Sequence, residues 1–232
     1  MGNARSIDPA LLVGDLAARA KKKVKTDEDK ALLDPLLEQT LSATAKTFLN
    51  GMAREFVFGY SKTIGSKYFD KGIQCEDAAI GLYNNVFFTN YVKNTERRTN
   101  EWATGECDIL VPGKKIIDIK NAWSLDTFPD TSDDVAEEMK AAGYDYQGRV
   151  YMALWDEDEF EVAYSMVSTP DDLRRREQIE IHQVDHINPA LRITRASIRR
   201  CPIIEKKMEA KAAVAREYLK NRVAQINIEH RY

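Results

Sequence analysis

The chain has 232 residues, of which 34 are Lys or Arg and 37 are Asp or Glu, so its formal net charge is −3. Hydrophobic residues make up 44% of the chain and charged residues 31%, which is typical of a globular protein with an ordinary core. No apolar stretch reaches the roughly 18 residues that a membrane span needs, and no signal-peptide segment is present, so we expect a cytoplasmic protein without membrane contact.

Both ends of the chain have helical patterns. Residues 7–24 and 27–57 predict helices, with a new helix starting at Asp34-Pro35, because Asp caps a helix and Pro suits its first turn. Residues 69–87 predict another helix, whose apolar stripe consists of Ile73, Ile80, Tyr83 and Phe87. In the C-terminal third, which we expect to be mostly helical, one long amphipathic helix is marked by Ile204, Met208, Ala215, Leu219, Val223 and Ile226.

The middle of the chain predicts strands near residues 91–99, 105–111, 115–121 and 159–166. An acidic loop over residues 126–134 precedes a further helix that contains Gln147 and Tyr151. In the strand at 115–121, side chains alternate between two faces, so Asp118 and Lys120 share one face while Ile117 and Ile119 point into the core.

The strands at 105–111 and 115–121 predict a β-hairpin. A three-residue loop over residues 112–114 would place Val111 opposite Lys115 and Asp108 opposite Asp118, with about 5 Å between the paired Cβ atoms. Two carboxylates at that distance repel each other unless a proton or a cation lies between them. The hairpin is therefore a candidate cation site, although charged residues on a half-exposed strand are also ordinary.

Polar residues also interrupt the neighbouring helical patterns. Glu76 fills a place in the apolar stripe of the 69–87 helix, where a buried carboxylate would need a partner. Alternatively, Glu76 lies at the margin of the stripe and reaches solvent. Gln147 and Tyr151 are four residues apart and project from one helix face, which alone is a common arrangement. His182 and His186 lack the glutamate of a zinc-protease helix, which favours a structural role.

In this order, the motifs resemble the PD-(D/E)xK nuclease superfamily, and most of all its RecB-like and YqaJ/lambda-exonuclease branch found in phages. The resemblance runs from residue 72 to residue 155 and rests on Gly72-x-x-x-Glu76-x-x-Ala79, Asp108, Asp118-Ile119-Lys120 and Gln147-x-x-x-Tyr151. Asp118 departs from that branch, which usually has Glu there. The resemblance implies an α/β (α+β) fold with a restriction-endonuclease-like core. In that core a mixed β-sheet is flanked by helices, with helical additions at both ends of the chain.

The resemblance also implies a metal-dependent DNA nuclease. Its implied catalytic residues are Glu76, Asp108, Asp118, Lys120, Gln147 and Tyr151. The three acids, with the backbone carbonyl of Ile119, would hold one or two Mg²⁺ or Mn²⁺ ions, which prefer oxygen ligands. Lys120 would orient or deprotonate the attacking water, while Gln147 and Tyr151 would steady the site or the DNA strand.

DNA is the implied substrate, most of all its double-stranded ends. A net charge of −3 is compatible with a local positive groove, and Lys62, Lys67 and Lys71 are candidates for its lining, although such lysines more often lie on a solvated surface. Lambda-like relatives form closed rings and pair with a single-strand annealing protein. The resemblance therefore makes a homo-oligomer and such a partner expectations for this chain, in a bacterial or phage-infected cytoplasm.

We expect one nuclease domain over residues 1–232, with a helical region at 1–58, the core at 59–166 and a mainly helical region at 167–232. The expected function is a double-strand DNA exonuclease in recombination or repair. A structure- or site-specific endonuclease on the same core stays open, because the sequence does not tell whether the groove closes around a DNA end. A catalytically silent DNA-binding or assembly module also stays open.

Overall fold

In the computed structural model of the chain, the described residues are 7–8, 11–63 and 65–230. The chain divides into two compact units, one formed by residues 1–63 with 203–232 and the other by residues 64–202. Within the described ranges, no helix combines the length and the apolar character that crossing a membrane requires.

Helices and strands alternate mainly in the second unit. In the described residues the helices are α1 (Leu16–Lys21), α2 (Asp27–Gln39), α3 (Ala43–Phe58), α4 (Lys67–Gln74), α5 (Glu76–Phe87), α6 (Ser132–Ala142), α7 (Tyr144–Trp155), α8 (Asp171–Arg174) and α9 (Pro202–Glu229). The strands are β1 (Arg98–Thr99), β2 (Thr104–Gly105), β3 (Ile109–Val111), β4 (Lys115–Asn121), β5 (Glu159–Ser165) and β6 (Ile193–Arg199). Helices α2, α3, α4 and α6 each begin after a Thr or Ser whose side-chain oxygen accepts a hydrogen bond from a first-turn N–H.

The N-terminal helices differ from the sequence prediction. The predicted helix over residues 7–24 is reduced to the short α1, and residues 9–10 lie outside the described residues. The prediction of a new helix at Asp34-Pro35 is wrong, because α2 continues through Pro35 to Gln39. The break falls at residues 40–42, where Ser42 Oγ accepts a 3.1 Å hydrogen bond from the backbone N–H of Ala45 and so begins α3.

The helix predicted over residues 69–87 is two helices, α4 and α5, separated at Cys75, whose φ of −104° and ψ of 4° interrupt the helix. Ile80 and Tyr83 are buried as the apolar stripe predicts, and they pack with Ile117 of β4. Ile73 belongs to α4, on the other side of the break, and is 60% exposed, so its assignment to the buried stripe is wrong.

The larger sheet has the order β3-β4-β5-β6. Strands β3 and β4 are antiparallel, β4 and β5 are parallel, and β5 and β6 are antiparallel, so the sheet is mixed and the predicted fold class is confirmed. Strands β4 and β5 lie where the sequence predicts them. The predicted strand at 91–99 shrinks to β1, and the one at 105–111 divides into β2 and β3. The long helix predicted in the C-terminal third is α9, and strand β6 precedes it, which the sequence does not predict. Helix α6 begins at Ser132, inside the acidic loop predicted over 126–134.

Helices cover both faces of the sheet. Helix α5 packs on the face that carries Ile117 and Ile119, while α6 and α7 pack on the face that carries Ile116 and Phe160. Helix α7 approaches the sheet very closely at Gly148, because a Cβ atom there would lie 2.1 Å from the ring of Phe160. The sheet therefore fixes the position of α7 beside β4.

Candidate active site

The hairpin of β3 and β4 has the predicted register. Val111 pairs with Lys115 around a three-residue loop, in which Gly113 has a positive φ of 69° that favours glycine. One step along the same register from the pair of Ile109 and Ile117 brings Asp108 opposite Asp118. Both acids therefore lie on one face of the hairpin.

The two carboxylates are held in different ways. Asp118 is 1% exposed, and its Oδ2 atom contacts Lys120 Nζ at 2.7 Å as an ion pair, without a partner in hydrogen-bond geometry. Asp108 Oδ2 accepts a 2.7 Å hydrogen bond from the backbone N–H of Ile119. Burial raises the pKa of both acids, and the charge of Asp118 raises the pKa of Asp108 further. The pair is costly to keep fully ionised unless a cation joins it.

Lys120 is enclosed by the acids and an aromatic ring. Its Nζ atom lies 4.4 Å from the ring centre of Tyr144 at the start of α7. Burial lowers the pKa of Lys120, but the Asp118 carboxylate outweighs burial, so the pKa is raised overall. Without a metal, Lys120 is therefore an ammonium that neutralises part of the carboxylate pair.

Helix α7 brings Gln147 and Tyr151 to the same region. Gln147 Nε2 donates a 2.8 Å hydrogen bond to Tyr151 Oη. The ring of Tyr151 packs on the backbone of Gly105, where a Cβ atom would lie 2.7 Å from it. Burial raises the pKa of Tyr151, and the charges of Asp118 and Asp108 raise it further.

Glu76 is the first residue of α5, and its side chain is 22% exposed. Its charge raises the pKa of both Asp108 and Asp118, so it lies in the same electrostatic environment. Its Oε2 atom, however, accepts a hydrogen bond of 2.5 Å from Lys93 Nζ. Among the residues that the structure describes, no three His, Cys, Asp or Glu side chains are arranged to hold a metal ion. Glu76, Asp108 and Asp118 therefore influence each other electrostatically, but their carboxylates are not arranged as a metal-ligand group.

Sequence reasoning missed Lys93. The lysine follows α5 by six residues, in a segment with the strand prediction 91–99, and strand periodicity gives no reason to connect it with Glu76. The useful signal is chemical: a lysine between two predicted acidic ligands along the chain is a candidate counter-ion for either of them.

The donor set nevertheless fits a hard divalent cation. Carboxylates and a backbone carbonyl offer only oxygen atoms, which Mg²⁺ and Mn²⁺ prefer. The buried Oδ2 atom of Asp118 has no hydrogen-bond donor with proper geometry, and the neighbouring Asp108 is destabilised as an anion. Both observations indicate a place where added positive charge would be favourable.

The loop after β4 is fixed around Trp123. Lys71 is fully buried, and its Nζ atom donates hydrogen bonds to the carbonyl oxygens of Ala122 (2.6 Å) and Trp123 (3.1 Å). Burial lowers the pKa of Lys71 to about 8. Glu177 accepts from the indole N–H of Trp123, and the buried His182 contacts the carbonyl of Trp123. Lys71 therefore supports the loop from inside the protein and has no surface to offer to DNA, which corrects its assignment to a DNA groove.

The other two predicted groove lysines differ from each other. Lys67 forms an ion pair with Glu177 and lies 4.3 Å from the ring centre of Trp123, so its charge is already engaged. Lys62 is exposed in the segment after α3. Only Lys62 keeps the features expected of a phosphate contact.

Comparisons with known proteins relate this arrangement to nucleases. No protein-family model and no curated protein matches the chain. A phage related exonuclease from Haemophilus somnus 129PT, known from a crystal structure, is 33% identical in sequence to this chain. The two structures superpose with a TM-score of 0.78, and the match covers 91% of this chain and 94% of that one. An alkaline exonuclease, LHK-Exo from Laribacter hongkongensis, matches the fold at 11% identity and a TM-score of 0.56, over 83% of this chain and 88% of that one. The similarity to the Haemophilus protein shows that this chain belongs to the phage-related exonuclease family of the PD-(D/E)xK superfamily.

Proposed function

We propose that the chain is a metal-dependent exonuclease that hydrolyses double-stranded DNA from its ends in phage recombination or repair. The observation that carries this proposal is the pair of the half-buried Asp108 and the buried Asp118, with Lys120 two residues farther along the same strand face. Membership of the phage-related exonuclease family supports it independently.

Glu76, Asp108, Asp118 and the backbone carbonyl of Ile119 would hold one or two Mg²⁺ or Mn²⁺ ions. Such an ion polarises a phosphate and lowers the pKa of a water molecule. The proposal is supported by the oxygen-only donor set and by the raised pKa of both Asp108 and Asp118. In the present arrangement Lys93 engages one oxygen of the Glu76 carboxylate, Oε2, and its positive charge would oppose a metal ion bound there.

Lys120 would position the attacking water as an ammonium, or accept its proton if a bound divalent ion disfavours the ammonium form. Its side chain points along the face that carries Asp118, and the ring of Tyr144 limits its freedom. Gln147 and Tyr151 form a hydrogen-bonded pair and would orient the DNA strand beside the acids. Lys62 is exposed and would contact a phosphate, which adds affinity without sequence preference.

Digestion of DNA with and without ends tests this function. End-labelled linear duplex and closed circular duplex are incubated with the protein and Mg²⁺, beside Asp108→Asn as the matched inactive control. We expect degradation of the linear DNA alone. Cutting of the circle would favour the endonuclease alternative, and no cutting of either DNA would favour a silent binding module.

A homo-oligomer and a single-strand annealing partner are proposed from family membership alone. Light scattering of the purified protein gives the mass of the assembly. Co-purification with a single-strand annealing protein tests the partner. A monomer that retains no annealing protein would remove both proposals without affecting the nuclease assignment.

A further inference from the structure

Lys93 is a cation placed against one member of the proposed ligand set. Its Nζ atom lies 2.5 Å from Glu76 Oε2, and the hydrogen bond with Glu76 raises the pKa of Lys93, with smaller contributions from Asp108 and Asp77. The ammonium therefore lies in the field of three carboxylates. The side chain is also 42% exposed, so it can swing into solvent without opening the core.

Lys93 engages the Oε2 atom of the same Glu76 carboxylate that the proposed metal ion would bind, so the ammonium and the metal ion repel each other there. Asp118 and Asp108 are each held by β4 itself, through Lys120 and the backbone N–H of Ile119. Glu76 is instead held by a residue from another segment of the chain. Among the described residues no three acids are arranged as a metal-ligand group, and the Glu76 carboxylate is paired with Lys93.

We propose that Lys93 is a displaceable counter-ion, which holds the Glu76 carboxylate in the metal-free protein and gives it up when a divalent cation binds. The inference rests on the proposed metal site and deepens it. Lys93 is then a positioning residue. It sets the cation concentration at which Glu76 joins Asp108 and Asp118 as a metal ligand.

Removing the ammonium has two effects of opposite direction. Metal binding no longer has to break the ion pair with Glu76, and one repelling positive charge is gone, so the affinity for the cation rises. At the same time the carboxylates lose a counter-ion, so the metal-free protein becomes less stable. If Lys93 had a purely structural role, its replacement would instead lower both the cation affinity and the stability of the metal-free protein.

Calorimetric titration of Mg²⁺ into the wild type, Lys93→Gln and Lys93→Arg measures the first effect, and thermal unfolding in chelator measures the second. We expect Lys93→Gln to bind Mg²⁺ about three- to tenfold more tightly and to unfold at a lower temperature without metal. Lys93→Arg keeps the charge and should stay near the wild type in both measurements.

Lys114→Gln is the matched control for the loss of one surface lysine. Lys114 lies in the hairpin loop, four residues and about 13 Å along the strand from Asp118. That distance exceeds the Debye length of about 8 Å at physiological ionic strength, so its Mg²⁺ affinity should match the wild type.

The possible results separate this inference from the function on which it rests. If the wild type binds Mg²⁺ and Lys93→Gln binds it equally or more weakly, the counter-ion role is wrong. If neither protein binds Mg²⁺ or Mn²⁺, the proposed metal site fails instead. Should Lys93→Gln not fold, acylation of lysines in the wild type gives the same answer: Mg²⁺ should speed the labelling of Lys93 and leave that of Lys114 unchanged. Equal labelling of Lys93 with and without Mg²⁺ would overturn the proposal.

Discussion

Asp108 and Asp118 oppose each other across the hairpin, but their surroundings give them different sensitivities to substitution. Asp108 is paired with a backbone N–H, which an asparagine oxygen also accepts, so Asp108→Asn removes repulsion and keeps the hydrogen bond. Asp118→Asn removes the same repulsion but leaves the mostly buried Lys120 without its ion-pair partner, and an unpaired buried charge is strongly destabilising.

We therefore expect both variants to lose nuclease activity by at least about 10²-fold, with opposite effects on metal-free stability. Asp108→Asn should unfold at a higher temperature than the wild type in chelator, and Asp118→Asn should not. Single-turnover cleavage and scanning calorimetry measure the two quantities. Full activity in either variant would contradict the assignment of these acids to the site.

Lys120 can be distinguished from a simple phosphate contact. Lys120→Ala should keep metal and DNA binding but lose about 10²- to 10⁴-fold in the single-turnover cleavage rate, as expected when a general base or water-positioning group is removed. Lys62→Ala is the matched comparison, because Lys62 is exposed and is proposed to contact phosphate. It should weaken DNA binding, reduce the salt slope by about one unit and leave the rate at saturating protein unchanged. Lys120→Ala with that second profile would make Lys120 a phosphate clamp.

At the scale of elements, the position of α7 depends on Gly148. Alanine is the better helix former by up to about 1 kcal/mol, so propensity alone predicts that Gly148→Ala stabilises the protein. We expect Gly148→Ala to lower the free energy of unfolding instead. The new Cβ atom would lie 2.1 Å from the ring of Phe160, and overpacking a core costs about 1–3 kcal/mol. The displaced helix would also shift Gln147 and Tyr151 away from the acids.

Gly81 in α5 provides the control for this substitution, because a Cβ atom there meets nothing within 4 Å. Gly81→Ala should raise the free energy of unfolding by roughly 0.5–1 kcal/mol. Urea unfolding of both variants gives the comparison. Equal stabilisation by the two alanines would mean that α7 does not press on the sheet at Gly148.

The sequence predicts the β3–β4 hairpin well because its register depends on local features. Side-chain alternation and an odd loop length suffice to put Asp108 opposite Asp118. The break between α4 and α5 lies at Cys75, and α4 is held in place by distant contacts, because Lys71 bonds to carbonyls that lie 51 and 52 residues farther along the chain. Helical periodicity does not contain that information, so Ile73 is misplaced.

The sequence predicts neither strand β6 nor the ion pair of Glu76 with Lys93, because both depend on tertiary contacts. Along β6 only Ile193 is buried, and the alternating residues are half-buried or exposed, so its apolar pattern is weak. Its place in the sheet comes from pairing with β5, which the sequence separates from it by a long irregular segment. The candidate acids follow from local patterns, whereas their counter-ions follow from tertiary contacts.

At the scale of the whole molecule, the site residues from Glu76 to Tyr151 all belong to the unit formed by residues 64–202. Cation binding stabilises whatever part of the chain unfolds together with the site, by about 2.7 kcal/mol at a concentration of 100 times the dissociation constant. The single domain predicted for residues 1–232 stays a prediction, and this linkage provides a way to test it.

Hydrogen exchange followed by mass spectrometry measures this stabilisation segment by segment. With saturating Mg²⁺, amides of β4, β5 and α5 that exchange only through unfolding of the unit should slow by about 100-fold. Asp118→Asn should show no such slowing at the same concentration, which separates binding at the site from a general salt effect. Equal slowing in α3 and α9 would mean that residues 1–232 unfold as one cooperative domain. A response confined to residues 64–202 would instead mean that the helical unit unfolds independently of the site.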